Sequence, residues 1–386
     1  MTESSARHRE ERSNEAIQEP PAGPRSARND TTSKSVAELA AAGLLEPARA
    51  ETLRAVEARY SVAVTPEIAA LIDPADPADP IARQFLPDLR ELETRPEERA
   101  DPIGDDAFSP TEGLVHRYPD RVLLKLLSVC PVYCRFCFRR ETVGLGKGAS
   151  LSEEALDRAL AYVAARPEIF EVILTGGDPL ALSARRLRAV AERLAAIPHV
   201  AVLRIHTRAP TAAPRLVTAE RLEALKASGK AVFMVLHVDH ARELSAPARE
   251  AVLRIQRAGI STLAQTVLLA GVNDDVDTLE LLMRALVTAQ IKPYYLHHPD
   301  LAPGTGHFRL SLERGRALYG ALAQRVSGIA LPSYVLDIPG GFGKVPLQQS
   351  HLEGDEKNGW FVRDRAGRRH PYPAGEREQS QASPQD

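Results

Sequence analysis

From Val115 onward, short runs rich in Val, Ile, Leu and Phe alternate with longer runs whose apolar residues recur every three or four positions. The short runs, at 122–128, 171–175, 201–206, 231–236, 262–269, 293–297 and 333–337, predict strands. The stretches between them, such as 153–165, 243–257 and 312–326, predict helices. Strand and helix in regular alternation imply a parallel sheet. Six or seven such units suit a partial, open βα barrel better than a doubly wound sheet.

Upstream the texture is purely helical. Val36, Leu39, Leu44 and Leu45, then Leu53, Val56 and Tyr60, recur at helix spacing, and a short helix after Thr65 is broken by Asp73-Pro74-Ala75-Asp76-Pro77. Residues 36–110 therefore read as a small helical cap and 111–348 as the barrel. Residues 1–35 carry almost no large apolar side chains and too many Glu residues for a mitochondrial presequence, so they read as a disordered leader. Residues 349–386, mostly polar around Trp360, Arg365 and Arg368-Arg369-His370, predict a short hairpin and a solvated tail.

Composition mainly excludes. The 386 residues are 44% hydrophobic, enough for one large core with appendages. A formal net charge of −2 gives no basic field for nucleic acid or an anionic membrane, so a small molecule or a protein is the expected partner. Without an apolar run of membrane-spanning length or a signal-peptide core, the chain is expected in the cytoplasm.

The chemistry concentrates in one stretch, Cys130-Pro131-Val132-Tyr133-Cys134-Arg135-Phe136-Cys137, which holds all 3 cysteines. Structural zinc wants four ligands in a closed set, whereas a [4Fe–4S] cube on three thiolates leaves one iron open to a ligand; zinc completed by a histidine remains the alternative. Polar residues then follow each predicted strand: Thr175-Gly176-Gly177-Asp178, His206-Thr207-Arg208, His237, His298 with Asp300, and Asp337, while Gln265 lies within the fifth strand. Barrels gather their chemistry at that end. Their plainer readings are ordinary βα turns, loop caps and hydrogen-bonded core side chains. Pro339-Gly340-Gly341-Phe342-Gly343-Lys344 is not a P-loop, because Val345 follows the lysine. Read as more than a flexible surface loop, it suits a phosphate-bearing cofactor, or a lysine forming a Schiff base with a pyridoxal aldehyde.

The spacing C-x3-C-x2-C resembles the signature of radical S-adenosylmethionine enzymes. The further runs His116-Arg117-Tyr118-Pro119-Asp120-Arg121, Cys134-Arg135-Phe136-Cys137-Phe138-Arg139-Arg140, Pro293-Tyr294-Tyr295 with Asp300, His307-Phe308-Arg309 and Tyr334-Val335-Leu336-Asp337-Ile338-Pro339-Gly340-Gly341-Phe342-Gly343-Lys344 resemble the lysine 2,3-aminomutase family over about residues 65–348. That resemblance implies a radical SAM type of partial barrel carrying a [4Fe–4S] cluster, S-adenosylmethionine and pyridoxal 5′-phosphate. It implies that Cys130, Cys134 and Cys137 hold the cluster. It implies that Thr175, Gly176, Gly177, Asp178, His237 and Gln265 contact S-adenosylmethionine. Lys344 would be the pyridoxal lysine, with Arg117 and Arg121 near the phosphate. Arg139 would bind the carboxylate of an L-lysine substrate, and Asp300 and Asp337 its distant ammonium. The implied reaction moves the α-amino group of L-lysine to C3, giving β-lysine, with electrons from a donor such as flavodoxin or ferredoxin.

Two rivals stand beside this reading: a 2,3-aminomutase of another amino acid, and a non-catalytic metal-containing module that docks elongation factor P. The run Leu203-Arg204-Ile205-His206-Thr207-Arg208 resembles the branch whose β-lysine modifies elongation factor P, while Asp337 and the loop to Lys344 resemble the free-lysine enzymes. Phe342 stands where many relatives have glycine, and the C-terminal zinc cysteines of clostridial members are absent.

Overall fold

The seven predicted strands, with a further one at each end, hydrogen-bond into one sheet in simple sequence order. They are β1 (Leu114–Tyr118), β2 (Arg121–Leu127), β3 (Glu171–Gly176), β4 (Val202–Thr207), β5 (Ala231–His237), β6 (Ser261–Val267), β7 (Lys292–His297), β8 (Ser333–Ile338) and β9 (Gly343–Pro346). This computed structural model describes residues 31–144, 150–348, 350–355, 359–364 and 367–372; most of the expected leader and the end of the tail lie outside them.

Strands β2 to β8 are all parallel, while β1 and β9 add antiparallel edges at the two ends. The sheet curls into an open barrel whose seam lies between β1 and β9. Side chains cross that seam where the ladder does not: the Lys344 amide donates to the Tyr118 hydroxyl at 2.8 Å.

Alternation along the strands decides what faces where. In β4, Leu203 and Ile205 are buried in the apolar core outside the barrel, while Val202, Arg204 and His206 turn toward an interior cavity. In β6, Leu263, Gln265 and Val267 do the same. The outer helices answer with apolar stripes, Leu156 and Leu160 on 153–164, Leu187 and Leu194 on 184–195, and Leu279 and Leu286 on 276–288. Ser152, Ser183, Asp275 and Ser311 accept backbone N–H bonds at the starts of their helices. The helix expected from residue 243 begins instead at Ala246, because His240 and Glu243 close a capping box on a short turn before it.

The expected cap is helical and has its own apolar cluster, built from Leu39, Leu53, Val56, Ile68 and Phe85. That cluster takes in Val132, so the cap packs on the cysteine stretch. The described chain also starts earlier than the leader boundary suggested: Ser33 is buried and pairs with Val64. At the other end, Leu352–Asp355, Gly359–Arg363 and Arg369–Tyr372 form a three-stranded antiparallel sheet (β10 to β12), not a hairpin. The third strand is held by Arg369, which stacks 3.4 Å from the Phe361 ring and pairs with Glu353. Among the described residues no helix is long and apolar enough to cross a membrane.

One buried carboxylate ties the cap to the cysteine loop. Glu91, fully buried, accepts from Arg135 Nε at 3.0 Å and Nη2 at 2.6 Å, and also from Arg140. Arg135 then reaches the Ser61 carbonyl at 2.8 Å, and Arg140 the carbonyls of Arg135 and Gly304. Removing the carboxylate strands two buried cations, so Glu91→Ala should cost about 3–5 kcal/mol of stability in a denaturant titration. A loss below about 1 kcal/mol would mean that the two arginines find water or other partners.

Candidate active site

The barrel encloses a cavity of about 700 Å³ that reaches from the cysteine stretch down to Arg121 and Arg204 near the strand starts. Cys130, Cys134 and Cys137 all line its upper end, and none is disulfide-bonded. Burial pushes the Cys130 thiol well above the usual range, pushes Cys134 up to about 12 against the opposing pull of Arg208, and raises Cys137. Buried thiols of this kind become thiolates when a cation replaces their protons. Among the described residues no three His, Cys, Asp or Glu side chains converge tightly enough for a single metal ion. The three thiols share one end of the cavity.

The Thr175 to Asp178 turn holds the stem of that loop. Gly177 N donates to the Leu127 carbonyl at 2.6 Å and Asp178 N to the Val129 carbonyl at 3.0 Å. Gly176 has φ +105°, and a Cβ at Gly177 would overlap the backbone of Val129. Both glycines are thus required by the approach to residues 127–129, in addition to lining the cavity. Asp178 points into the protein, accepting from Thr207 Oγ1 at 2.7 Å, Arg208 N at 2.8 Å, Leu180 N at 3.0 Å and Ala209 N at 3.0 Å. Its carboxylate fixes the loop after β4.

His237 and Gln265 stand side by side in register on β5 and β6, both facing the cavity. His237 packs 5.6 Å from the Phe136 ring, and its Nε2 approaches Asp239 Oδ2 at 3.0 Å. His298, by contrast, is buried and bonded to the Tyr334 hydroxyl at 2.8 Å.

At the seam, β8 and β9 bring Asp337 and Lys344 into register, with Lys344 Nζ 2.6 Å from Asp337 Oδ2. Arg117 on β1 approaches Asp337 Oδ1 at 3.8 Å. The three loop glycines Gly340, Gly341 and Gly343 all have positive φ, and the loop presses on Gly104 so closely that a Cβ there would meet its backbone. Phe342 projects outward, 78% exposed. Arg117 and Arg139 are both held by Asp105, at 2.8 Å on Oδ1 and 2.9 Å on Oδ2. Burial alone would push Asp105 up, but Arg139, with Lys125 and Arg117 behind it, outweighs that and holds it below the usual carboxylate range. Arg121 lies apart from this group, partly exposed, paired with Asp120 at 2.8 Å and stacked 3.9 Å from the Tyr118 ring.

Some residues in or beside the cavity carry no sequence motif of their own. Asp105 comes from the cap, and no local pattern announces it. Arg204 and His206 fall in the run 203–208 that the sequence had singled out, whereas His297 could have been found from period-two alternation, since it shares a strand face with Tyr295, another cavity residue. Burial, with Arg204 and Lys344 adding to it, pushes His206 well below the usual histidine range; burial and then Lys344 do the same for His297. His206 Nε2 has no protein partner.

A family model described as the radical SAM superfamily matches residues 124–282. An L-lysine 2,3-aminomutase of Clostridium subterminale is 37% identical over 75% of this chain and 70% of its own length. One from Fusobacterium nucleatum is 36% identical over 78% and 69%. A glutamate 2,3-aminomutase of Clostridioides difficile is 33% identical over 78% and 71%. The fold and cysteine-lined cavity thus belong to a radical SAM enzyme, which works with an iron–sulfur cluster and S-adenosylmethionine. Within that class, this chain belongs to the L-lysine 2,3-aminomutase family of isomerases.

Asp300 has an unusual environment. Burial first, and then the Asp337 carboxylate, push its carboxyl up to about 7, against Lys344 and Arg139. A carboxyl raised in the folded state contributes stability that is fully present below its unfolded value near 3.9 and is lost as pH rises through about 7. Asp300→Asn should therefore stabilise the unligated protein by up to about 4 kcal/mol at pH 8, with the gain vanishing near pH 4. Equal gains at both pH values in urea titrations would mean that Asp300 ionises normally.

Proposed function

We propose that the chain is an L-lysine 2,3-aminomutase that uses pyridoxal phosphate beside its cluster and S-adenosylmethionine. One observation carries this: a single cavity is lined by three thiols at one end and also by Lys344, Asp300, Asp337, Arg117, Arg121 and Arg139. The thiol set suits the cluster on Cys130, Cys134 and Cys137. Thr175, Gly176, Gly177, His237 and Gln265 are the cavity residues for S-adenosylmethionine, with Asp178 holding their loop. A lysine on a glycine loop suits the pyridoxal aldehyde, and the buried, unpartnered Nε atoms of Arg117 and Arg139 and Nε2 of His206 leave polar valences for ligands. When bound, the cluster and S-adenosylmethionine supply a carbon radical that takes hydrogen from the substrate, and pyridoxal phosphate carries the migrating nitrogen.

The chain's own residues bind and orient. Arg117, with Arg121 below it, holds the phosphate, and Arg139 holds the substrate carboxylate. Lys344 Nζ at 2.6 Å from Asp337 marks that carboxylate as an ammonium site. A Lys344 committed to the aldehyde would leave Asp337, with Asp300, to receive the substrate's ε-ammonium. A glutamate substrate would instead place its side-chain carboxylate against these two acids. The reducing electron comes from a donor of the flavodoxin or ferredoxin class. The resemblance at residues 203–208 extends the proposal to the product's use, modification of a lysine of elongation factor P; release of free β-lysine is what this use requires.

The test is an anaerobic assay with iron, sulfide, pyridoxal phosphate, S-adenosylmethionine, dithionite and either L-lysine or L-glutamate, with products read by mass spectrometry. β-Lysine should form, and Asp337→Asn should lower kcat/KM for lysine by about 30-fold or more, the cost of unpairing a buried ammonium. Conversion of glutamate but not lysine would overturn the substrate. Formation of 5′-deoxyadenosine without β-lysine would leave the radical chemistry standing and remove the aminomutase.

A further inference from the structure

Arg208, in the loop after β4, is 6% exposed, and its Nη1 donates to the sulfur of Cys134 at 3.2 Å. None of the roles above uses it. Its guanidinium is fixed from several directions. Nη1 also bonds Asp239 Oδ2 at 3.0 Å, while Nη2 bonds Glu243 Oε2 at 2.7 Å and Gln84 Oε1 at 2.5 Å. The group lies 4.7 Å from the Phe85 ring and 5.6 Å from Phe136. Both carboxylates are fully buried and anchored in turn. Asp239 Oδ1 accepts from Val267 N at 2.7 Å, and Glu243 Oε1 accepts from the amides of Asp239 and His240 at 2.9 Å each. Asp178 holds the Arg208 amide. A permanent cation is thereby aimed at one cysteine sulfur by residues from the cap, the loops after β3 and β5, and the turn before residue 246.

We infer that Arg208 sets the reduction potential of the iron–sulfur centre, by holding a positively charged N–H donor on the Cys134 sulfur. This rests on the reading that the three cysteines bind the cluster. Reduction adds one electron, and part of that charge falls on the ligand sulfurs. A hydrogen bond and a nearby positive charge in a low-dielectric site stabilise the added charge and raise the potential. Asp239 and Glu243 oppose this and trim the effect, so the two signs can be tested separately. An arginine serving only to tie the cap to the barrel would alter stability and leave the potential alone.

The experiment is a midpoint titration of the anaerobically reconstituted protein, with dithionite as one-electron donor, redox mediators, and cluster absorbance and paramagnetic resonance as readouts. Arg208→Gln should keep the cluster and make its one-electron reduction at least tenfold less favourable, a fall of about 59 mV. Glu243→Gln, which keeps an acceptor and removes a negative charge, should raise the midpoint. Unchanged midpoints in both variants, with full cluster occupancy, overturn the inference. If Arg208→Gln does not hold a cluster, Glu243→Gln decides alone: a midpoint equal to or below wild type overturns it. A wild-type protein that takes up no iron–sulfur chromophore overturns the cluster reading itself, and the role of Arg208 with it.

Discussion

The barrel does not close, and its chemistry depends on that gap. Edge strands β1 and β9 are antiparallel partners of β2 and β8, and no ladder joins them to each other. The seam is crossed by side chains instead: Tyr118 to the Lys344 amide, and Arg117 toward Asp337. A closed parallel barrel would fill its interior with layered apolar side chains. Here the gap leaves an interior of about 700 Å³, and the candidate catalytic lysine stands at its edge on a glycine loop that can adopt positive φ three times.

An interior lined with charges is stable only when those charges are paired. Part of that pairing comes from carboxylates outside the βα units, while Asp239 and Glu243 within them serve Arg208. Glu91 of the cap neutralises Arg135 and Arg140 of the cysteine loop, and Asp105 neutralises Arg117 and Arg139. The cap is thus part of the active site's electrostatics, covering the end of the barrel where the thiols sit. Asp337 is already paired with Lys344, and Asp300, placed beside it, resists ionisation. On the proposed function, substrate binding would be an exchange of partners within this prearranged set of charges.

Much of this was legible in the sequence. Strands β2 to β8 were each visible as a short apolar run, because both faces of a parallel strand are enclosed. The cysteine stretch, the Thr175 turn and the loop to Lys344 were legible as local motifs. Strands β1 and β9 were not, being short edges whose polar residues, Arg117 and Lys344, interrupt the apolar pattern. Asp105 and Glu91 were invisible because their partners lie at least 12 residues away and carry no periodic signal. The helix start at Ala246 was misplaced because apolar spacing runs through the His240–Glu243 capping turn. The third C-terminal strand depends on cross-strand pairs of Arg369 that composition does not reveal.

The central claim is that cluster thiols and a pyridoxal-bearing lysine share one cavity. It is tested most directly by loading the protein with iron, sulfide and pyridoxal phosphate, reducing with borohydride, and mapping the pyridoxyl group by peptide mass spectrometry alongside an iron count. The account predicts the label on Lys344, in protein that also holds about four irons. A label on another lysine, or none in cluster-loaded protein, would contradict it.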